Sequence, residues 1–165
     1  MPATVSKIAP CLWFDGRAED AARFYVSLFR DSAIDAVSYY SEEGVAVHGR
    51  TPGSVMTVAF HLAGQPFTAL NGGPEFPFTE AVSLQVFCDS QDEVDYFWSR
   101  LSEGGQEGVC GWLKDQFGLS WQVVPAALPT MMCDPDAKKS RRATRALLEM
   151  KKLDIAALQR AFDGA

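Results

Sequence analysis

The sequence predicts an α+β protein built from two tandem βαβββ modules, followed by a helical C-terminal extension. Two observations carry this reading. The stretch "FDGRAEDAARFYVSLF", beginning at Phe14, is echoed by "FCDSQDEVDYFWSRL", beginning at Phe87, a displacement of 73 residues. A period of that length marks a duplicated supersecondary unit. At this displacement Phe14 meets Phe87, Glu19 meets Asp92, Asp20 meets Glu93, Phe24 meets Phe97, Tyr25 meets Trp98 and Leu28 meets Leu101. Two unrelated amphipathic helices, each following a strand, are the plainer account of the same matches. The second observation is that the pattern changes after Pro125, where the chain becomes helical and locally basic.

Residues 8–14, "IAPCLWF", form a short apolar run closed by Asp15-Gly16, which predicts a buried strand and a turn. A helix over 18–29 then places Ala21, Phe24, Tyr25 and Leu28 on one face and Glu19, Asp20 and Arg23 on the other. Acids in its first turn suit the helix dipole. Residues 33–40 read as a second strand, and "SEEG" and "GRTPG" bracket an irregular excursion. From Ser54, "SVMTVAFHLAGQPFTALNGGP" reads as two strands around a turn at 63–66, ended by Gly72-Gly73-Pro74.

The second copy opens with "AVSLQVF" as a strand, and Ser90 with Glu93 predicts a capping box for a helix through Leu101. "SEGGQ" reads as a turn, and "GVCGWLKD" and "LSWQVVP" as strands joined through "QFG". In the remainder, Asp134-Pro135 predicts an N-cap and a first-turn proline for a helix reaching about Met150. Asp154 is placed to cap a last short helix, "IAALQRAF". Seven of the fifteen Lys and Arg residues (138, 139, 141, 142, 145, 151 and 152) lie between Asp136 and Lys152, against two acids. That segment predicts a solvated helix face, docked by its Ala143, Leu147 and Leu148 side or complementing acidic surface, ahead of a nucleic-acid contact.

At 165 residues the chain is long enough to bury most of its apolar surface. Its net charge of -6 argues against a generic binder of nucleic acid or anionic membranes, because phosphate binding needs a positive field. Small molecules or protein partners are the expected ligands. No apolar run approaches the length that crosses a bilayer, and "MPATVSKIAP" lacks the pattern of a cleaved leader, so a cytoplasmic location is expected. The four cysteines, 11, 88, 110 and 133, form no CxxC pair and have no histidine at zinc-site spacing. Cys11 and Cys88 read as buried thiols on strands and Cys110 as the most accessible.

The stretches "PCLWFDGRAEDAARFYVSLF", "FTALNGGP", "SLQVFCDSQDEVDYFWSRLSEGG" and "CGWLKDQFGLSWQVVP" occur in this order. Together they resemble the PhnB-like family of the vicinal oxygen chelate superfamily, which has the glyoxalase and bleomycin-resistance fold. That family also carries the label 3-demethylubiquinone-9 3-methyltransferase domain. The likeness spans about residues 5–128, and the tail is similar to an extension found on many members. The resemblance implies one domain over 1–128, made of modules at about 5–75 and 80–128, with an extension over 129–165. It further implies a curved, cupped mixed sheet, homodimers, and a cleft that holds a small-molecule ligand.

Catalytic members of the superfamily hold a divalent metal with His, Gln and Glu side chains near the start of each module's first strand. Here the corresponding windows are residues 8–10 and 82–83, and the first offers no ligating side chain. Gln122 stands near the place where a metal-binding relative has Glu, but one neutral amide does not hold a divalent ion against water. Only His48 and His61 supply imidazoles. His61 alternates with Thr57 and Ala59, away from Val58, Phe60 and Leu62, so it faces either water or the cleft. Gln85 and Gln122 interrupt apolar strands; a buried amide needs partners, so each binds backbone or meets a ligand. The cleft candidates are therefore Trp13, His61, Asn71, Ser83, Gln85, Trp112 and Gln122, with no metal ligand assigned.

Three functions remain open on the sequence. The first is a dimeric binding or sequestering protein for a small, partly aromatic compound. The second is a metal-dependent glyoxalase-type enzyme with a displaced site built from His61, Gln122 and Glu75 or Glu80. The third is methyl transfer from S-adenosylmethionine, for which the glycine-rich turn that opens a helix is missing: Gly72-Gly73 ends a strand and Gly104-Gly105 ends a helix.

Overall fold

Each copy of the repeat folds into a four-stranded mixed sheet with a helix against one face. The computed structural model describes residues 6–165, so residue 5, where the first module is expected to start, lies outside the described residues. The chain divides into two compact units, Met1–Pro77 and Phe78–Ala165. The first contains β1 (Cys11–Phe14), α1 (Ala18–Leu28), β2 (Ala33–Tyr39), a single turn α2 (Val45–His48), β3 (Val55–Leu62) and β4 (Gln65–Asn71). Its sheet order is β1-β4-β3-β2, with β1 parallel to β4 and the other pairs antiparallel. The second contains β5 (Ser83–Cys88), α3 (Gln91–Ser102), β6 (Gln106–Glu107), β7 (Trp112–Lys114) and β8 (Ser120–Pro125). Its order, β5-β8-β7-β6 with β5 parallel to β8, is the same path drawn twice. The extension follows as α4 (Leu128–Met132), α5 (Ala137–Leu148) and α6 (Ile155–Asp163).

In the first unit the strands obey period 2. Val58, Phe60 and Leu62 of β3 are buried, while Thr57, Ala59 and His61 on the opposite face are half-buried. α1 presses Ala18, Ala21, Ala22, Tyr25 and Leu28 onto the buried face. The Tyr25 ring stacks on Phe60 at 6.4 Å, and Phe60 stacks on Phe67 at 5.4 Å. The β3–β4 hairpin turns on Ala63 and Gly64, whose φ angles of 47° and 78° match a two-residue turn of the primed kind. Gln65 and Pro66, expected in that turn, already belong to β4.

The repeat is real in structure, but its displacement is not constant. In the helices Tyr25 corresponds to Trp98 and Leu28 to Leu101, all four buried, at the displacement of 73 residues read from the sequence. In the strands the inward residues are Leu12 and Phe14 in one copy and Val86 and Cys88 in the other, one step further on. The difference is taken up in the corner: residues 15–17 separate β1 from α1, and only residues 89–90 separate β5 from α3. The match of Phe14 to Phe87 is therefore accidental. Phe14 is 4% exposed and Phe87 is 52% exposed, because one residue of slip turns a strand side chain to the other face.

Other expectations need correction. β1 begins at Cys11 and Ile8 is exposed. Cys11 is exposed rather than buried, although desolvation still raises its thiol above the ordinary value. The run "GVCGWLKD" is not one strand. β6 falls where a turn was expected, β7 covers only Trp112–Lys114, and a loop intervenes. In that loop Cys110 has φ 57° and donates its N–H to the Met150 carbonyl at 2.7 Å. It is half-buried, so Cys133, which is exposed, is the more accessible thiol. Cys88 is buried, and burial, with Glu93 and Asp89 adding to it, pushes its thiol up to about 12. Native-state labelling with a thiol reagent at pH 8 is expected to modify Cys133 and to spare Cys88 until denaturant is added, as mass spectrometry of the labelled peptides would report.

The α3 cap forms with a shift. Ser90 Oγ accepts from the Glu93 N–H at 3.2 Å, but the Glu93 carboxylate accepts from Asp89 at 2.8 Å, one residue before the cap. In the extension the cap of α5 is Asp136, which accepts from Lys138 N–H at 2.8 Å, and not Asp134. Asp134 instead accepts from the Asp136 N–H in the preceding turn. Asp154 caps α6 as expected, accepting from Ala157 at 2.8 Å.

The extension shares a core with the second sheet. Val124 of β8, Leu128, Met131, Ala143, Leu153 and Leu158 form one buried cluster, and Leu147 packs against it. Leu148, expected on the docked side, is exposed. Gln91 at the start of α3 holds the α5–α6 link from both ends of its amide, donating to the Leu153 carbonyl at 3.1 Å and accepting from Ile155 at 2.9 Å. Several of the basic residues have internal work. Arg142 donates to the last carbonyls of α6, Ala161 and Phe162, at 2.9 and 2.5 Å, Lys139 lies over the Phe162 ring at 5.2 Å, and Lys152 pairs with Asp95 at 2.6 Å.

Candidate functional site

A sheet with one helix against it leaves a second face to be explained. In the first unit that face, opposite α1, carries Trp13 of β1 and His61 of β3. Trp13 is tied down: its indole donates to the Gly73 carbonyl at 2.8 Å and its ring meets Phe76 edge-on at 4.9 Å. A Cβ at Gly72 would overlap that ring, and one at Gly73 would overlap the Arg50 guanidinium. The glycine pair thus exists for close packing. Arg50 donates to the Gly72 carbonyl at 2.7 Å and lies 3.8 Å from Glu75. His61 Nδ1 sits 2.9 Å from Asp35.

Asn71 lies elsewhere. It is buried on the α1 side, where its oxygen accepts from the Ala18 N–H at 2.8 Å and its amide donates to the Val55 carbonyl at 3.0 Å. It joins the helix N-terminus to β3 and does not face the same way as Trp13 and His61.

The second unit gathers the remaining nominees. Opposite α3, the strand registers place Gln106, Lys114, Ser120 and Ser83 in one cross-strand row. Trp112, Gln122 and Gln85 form the next row, and Phe87 with Val124 the one after. Gln122 binds in both directions, donating to Ser83 Oγ at 2.8 Å and accepting from Gln85 at 3.4 Å. Lys114 Nζ reaches Glu80 at 2.6 Å. That hydrogen bond, followed by further backbone and charge effects, holds the Glu80 carboxyl below the usual range. Ser120 is 1% exposed and its Oγ has no hydrogen-bond partner. A groove of about 160 Å³ lies at the Lys114 end of this face, lined by Glu80, Gln106, Trp112, Lys114 and Ser120 among others and stopping short of Ser83, Gln85 and Gln122. Sequence reasoning passed over Lys114 and Ser120. The parity of β8 held the signal, since 120 and 122 share a face.

The donors that a superfamily metal would use do not fit one. Glu75 faces Arg50, Glu80 is paired with Lys114, and Gln122 offers only a neutral amide already hydrogen-bonded to Ser83 and Gln85. Among the described residues no group of three or more His, Cys, Asp and Glu side chains is placed to hold a metal ion. Nor, among them, is any helix long and apolar enough to cross a membrane.

Two mixed sheets of identical strand path, each with one helix, define the class as the α+β fold of the glyoxalase and bleomycin-resistance kind. Within it, the chain belongs to the 3-demethylubiquinone-9 3-methyltransferase family, whose model matches residues 6–124. A PhnB protein from Bacillus cereus is similar to it at 35% identity, over 73% of this chain and 100% of that one, with a TM-score of 0.65. In fold alone, the chain is similar to a protein from Pseudomonas aeruginosa at 19% identity, covering 73% of this chain and 98% of that one, with a TM-score of 0.57. It is likewise similar to FosX, a fosfomycin resistance protein from Listeria monocytogenes, at 13% identity over 79% and 97% of the two chains, with a TM-score of 0.51. No curated protein matches the chain.

Proposed function

We propose that this protein binds or sequesters a small, partly aromatic molecule on the face of its second sheet opposite α3, without a resident metal and without transforming it. It acts as a cytoplasmic homodimer in this reading. One observation carries the proposal: Ser83, Gln85, Trp112 and Gln122, four of the seven cleft candidates, lie together on that face. The 3.4 Å contact between the two glutamines is at the outer limit for a hydrogen bond, so either amide can exchange it for a ligand at little cost. Trp112 beside them supplies a flat apolar surface.

Thermal-shift screening against aromatic metabolites, read again in Trp112→Ala and Gln122→Leu, tests this. The expected result is a ligand-induced rise in melting temperature in the parent chain that both variants reduce. Chelator-sensitive turnover of a vicinal-oxygen substrate would overturn the reading. Light scattering is expected to give twice the 18.1 kDa chain mass. Methyl transfer predicts heat on mixing with S-adenosylmethionine, and binding without chemistry on this face predicts none.

A metal-dependent reading is favoured by one feature. With Nδ1 of His61 engaged by Asp35, its Nε2 is left for a cation or a proton, the arrangement in which a carboxylate orients a ligating imidazole. That reading predicts stabilisation by zinc, nickel or manganese that His61→Ala removes.

A further inference from the structure

The rows on the second sheet differ in character, and the difference has a direction. The row Gln106, Lys114, Ser120, Ser83 carries the ammonium group and two hydroxyls; the next carries the indole and two neutral amides; the third carries the exposed Phe87 beside Val124, which the extension covers. Polarity therefore falls across the face from a cationic end to an apolar one. Two features of the cationic row are unfinished. Ser120 Oγ is buried with no partner, a condition that costs free energy unless something supplies a hydrogen bond. Lys114 is neutralised by Glu80, whose carboxylate comes from the loop ahead of β5 and is 63% exposed, so nothing packs it in place. The other carboxylate at the groove, Glu107, is occupied, accepting from the Trp98 indole at 3.0 Å.

We infer that Glu80 stands in for the ligand, and that the molecule bound here is an aromatic ring carrying a carboxylate. Its anionic group displaces Glu80 from Lys114 and accepts from Ser120 Oγ, and its ring lies against Trp112 beside the Gln122–Gln85 pair. A cation with a hydroxyl donor recognises a carboxylate through charge-assisted hydrogen bonds. A groove of about 160 Å³ has room for a single substituted ring and is well below the size of a site for a larger ligand. This inference rests on the binding reading above and narrows it to one ligand chemistry.

Calorimetric titration of the full chain with four probes tests it: benzoate, its neutral analogue benzamide, the cation benzamidine, and acetate as an anion without a ring. Benzoate is expected to bind about tenfold tighter than benzamide, with benzamidine and acetate weaker still. Lys114→Met is expected to remove the preference for benzoate over benzamide. Ser120→Ala is expected to weaken benzoate severalfold. The decisive variant is Glu80→Gln, a change at an exposed position that folding tolerates. It removes the competing carboxylate, so benzoate affinity is expected to rise severalfold. An unchanged or lower benzoate affinity in Glu80→Gln overturns the stand-in role. Tighter binding of benzamide or benzamidine than of benzoate overturns the ligand class while leaving the binding reading intact. Failure of all four probes to bind overturns this inference, and the thermal-shift screen then decides the binding reading on its own.

Discussion

Replacing Asp115 by alanine is expected to lower the unfolding free energy of the second unit by about 4 kcal/mol. Asp115 is 3% exposed, and its carboxylate gathers the turn between β7 and β8. One oxygen accepts from the Phe117 and Leu119 N–H groups at 2.8 and 3.1 Å, and the other accepts from the Trp121 indole at 2.8 Å. Alanine leaves these donors without their acceptor in a place that water reaches poorly. Asp115→Asn retains a single oxygen and sets an amide N–H against donors, so it is expected to fall between the parent and alanine. Urea unfolding followed by tryptophan fluorescence measures both, and Trp121 itself reports the loss. A change below about 1 kcal/mol for the alanine variant would mean that the turn holds without the carboxylate.

Leu153→Ala is expected to cost about 3 kcal/mol, within the usual range for emptying a buried leucine site. Leu153 is fully buried between β8 and the extension helices. Its neighbours are stitched to the second sheet through the backbone: Met150 and Lys151 carbonyls accept from Cys110 and Gly111 at 2.7 and 2.8 Å. A Cβ at Gly111 would come within 3.1 Å of the Leu153 side chain. The cavity therefore opens directly beneath the loop that leads into Trp112. Hydrogen exchange is expected to show loosened amides at Cys110 and Gly111 as well as in α6, whereas deprotection confined to α6 would show that the extension is only a lid on its own core.

Much of the fold was legible because alternation and helical spacing are strong signals over six or more residues. β3, β4, α1 and α3 are long enough to show them. β6 was not legible, since two residues at a sheet edge carry no period. The swap of cap from Asp134 to Asp136 was hidden for a different reason: both are Asp near a proline, and the choice is made by backbone geometry. Of the proposed site, the glutamines were readable as polar interruptions of apolar strands, and Ser83 by its place at the start of the second module's first strand. Lys114 was not, because an isolated lysine ordinarily means surface, and only the register places it beside an unpartnered Ser120. Asn71 shows the opposite error. Its chemistry is that of a ligand-binding amide, and the helix N-terminus consumes it.

The unequal corners, three residues ahead of α1 and two ahead of α3, say where this architecture tolerates a change of length. An insertion within a strand would invert every side chain beyond it, whereas the same insertion in the corner is absorbed before the helix begins. For anyone grafting peptides or tags into this scaffold, residues 15–17 and 89–90 are the seams to open, and the neighbouring strands are the cloth to leave uncut.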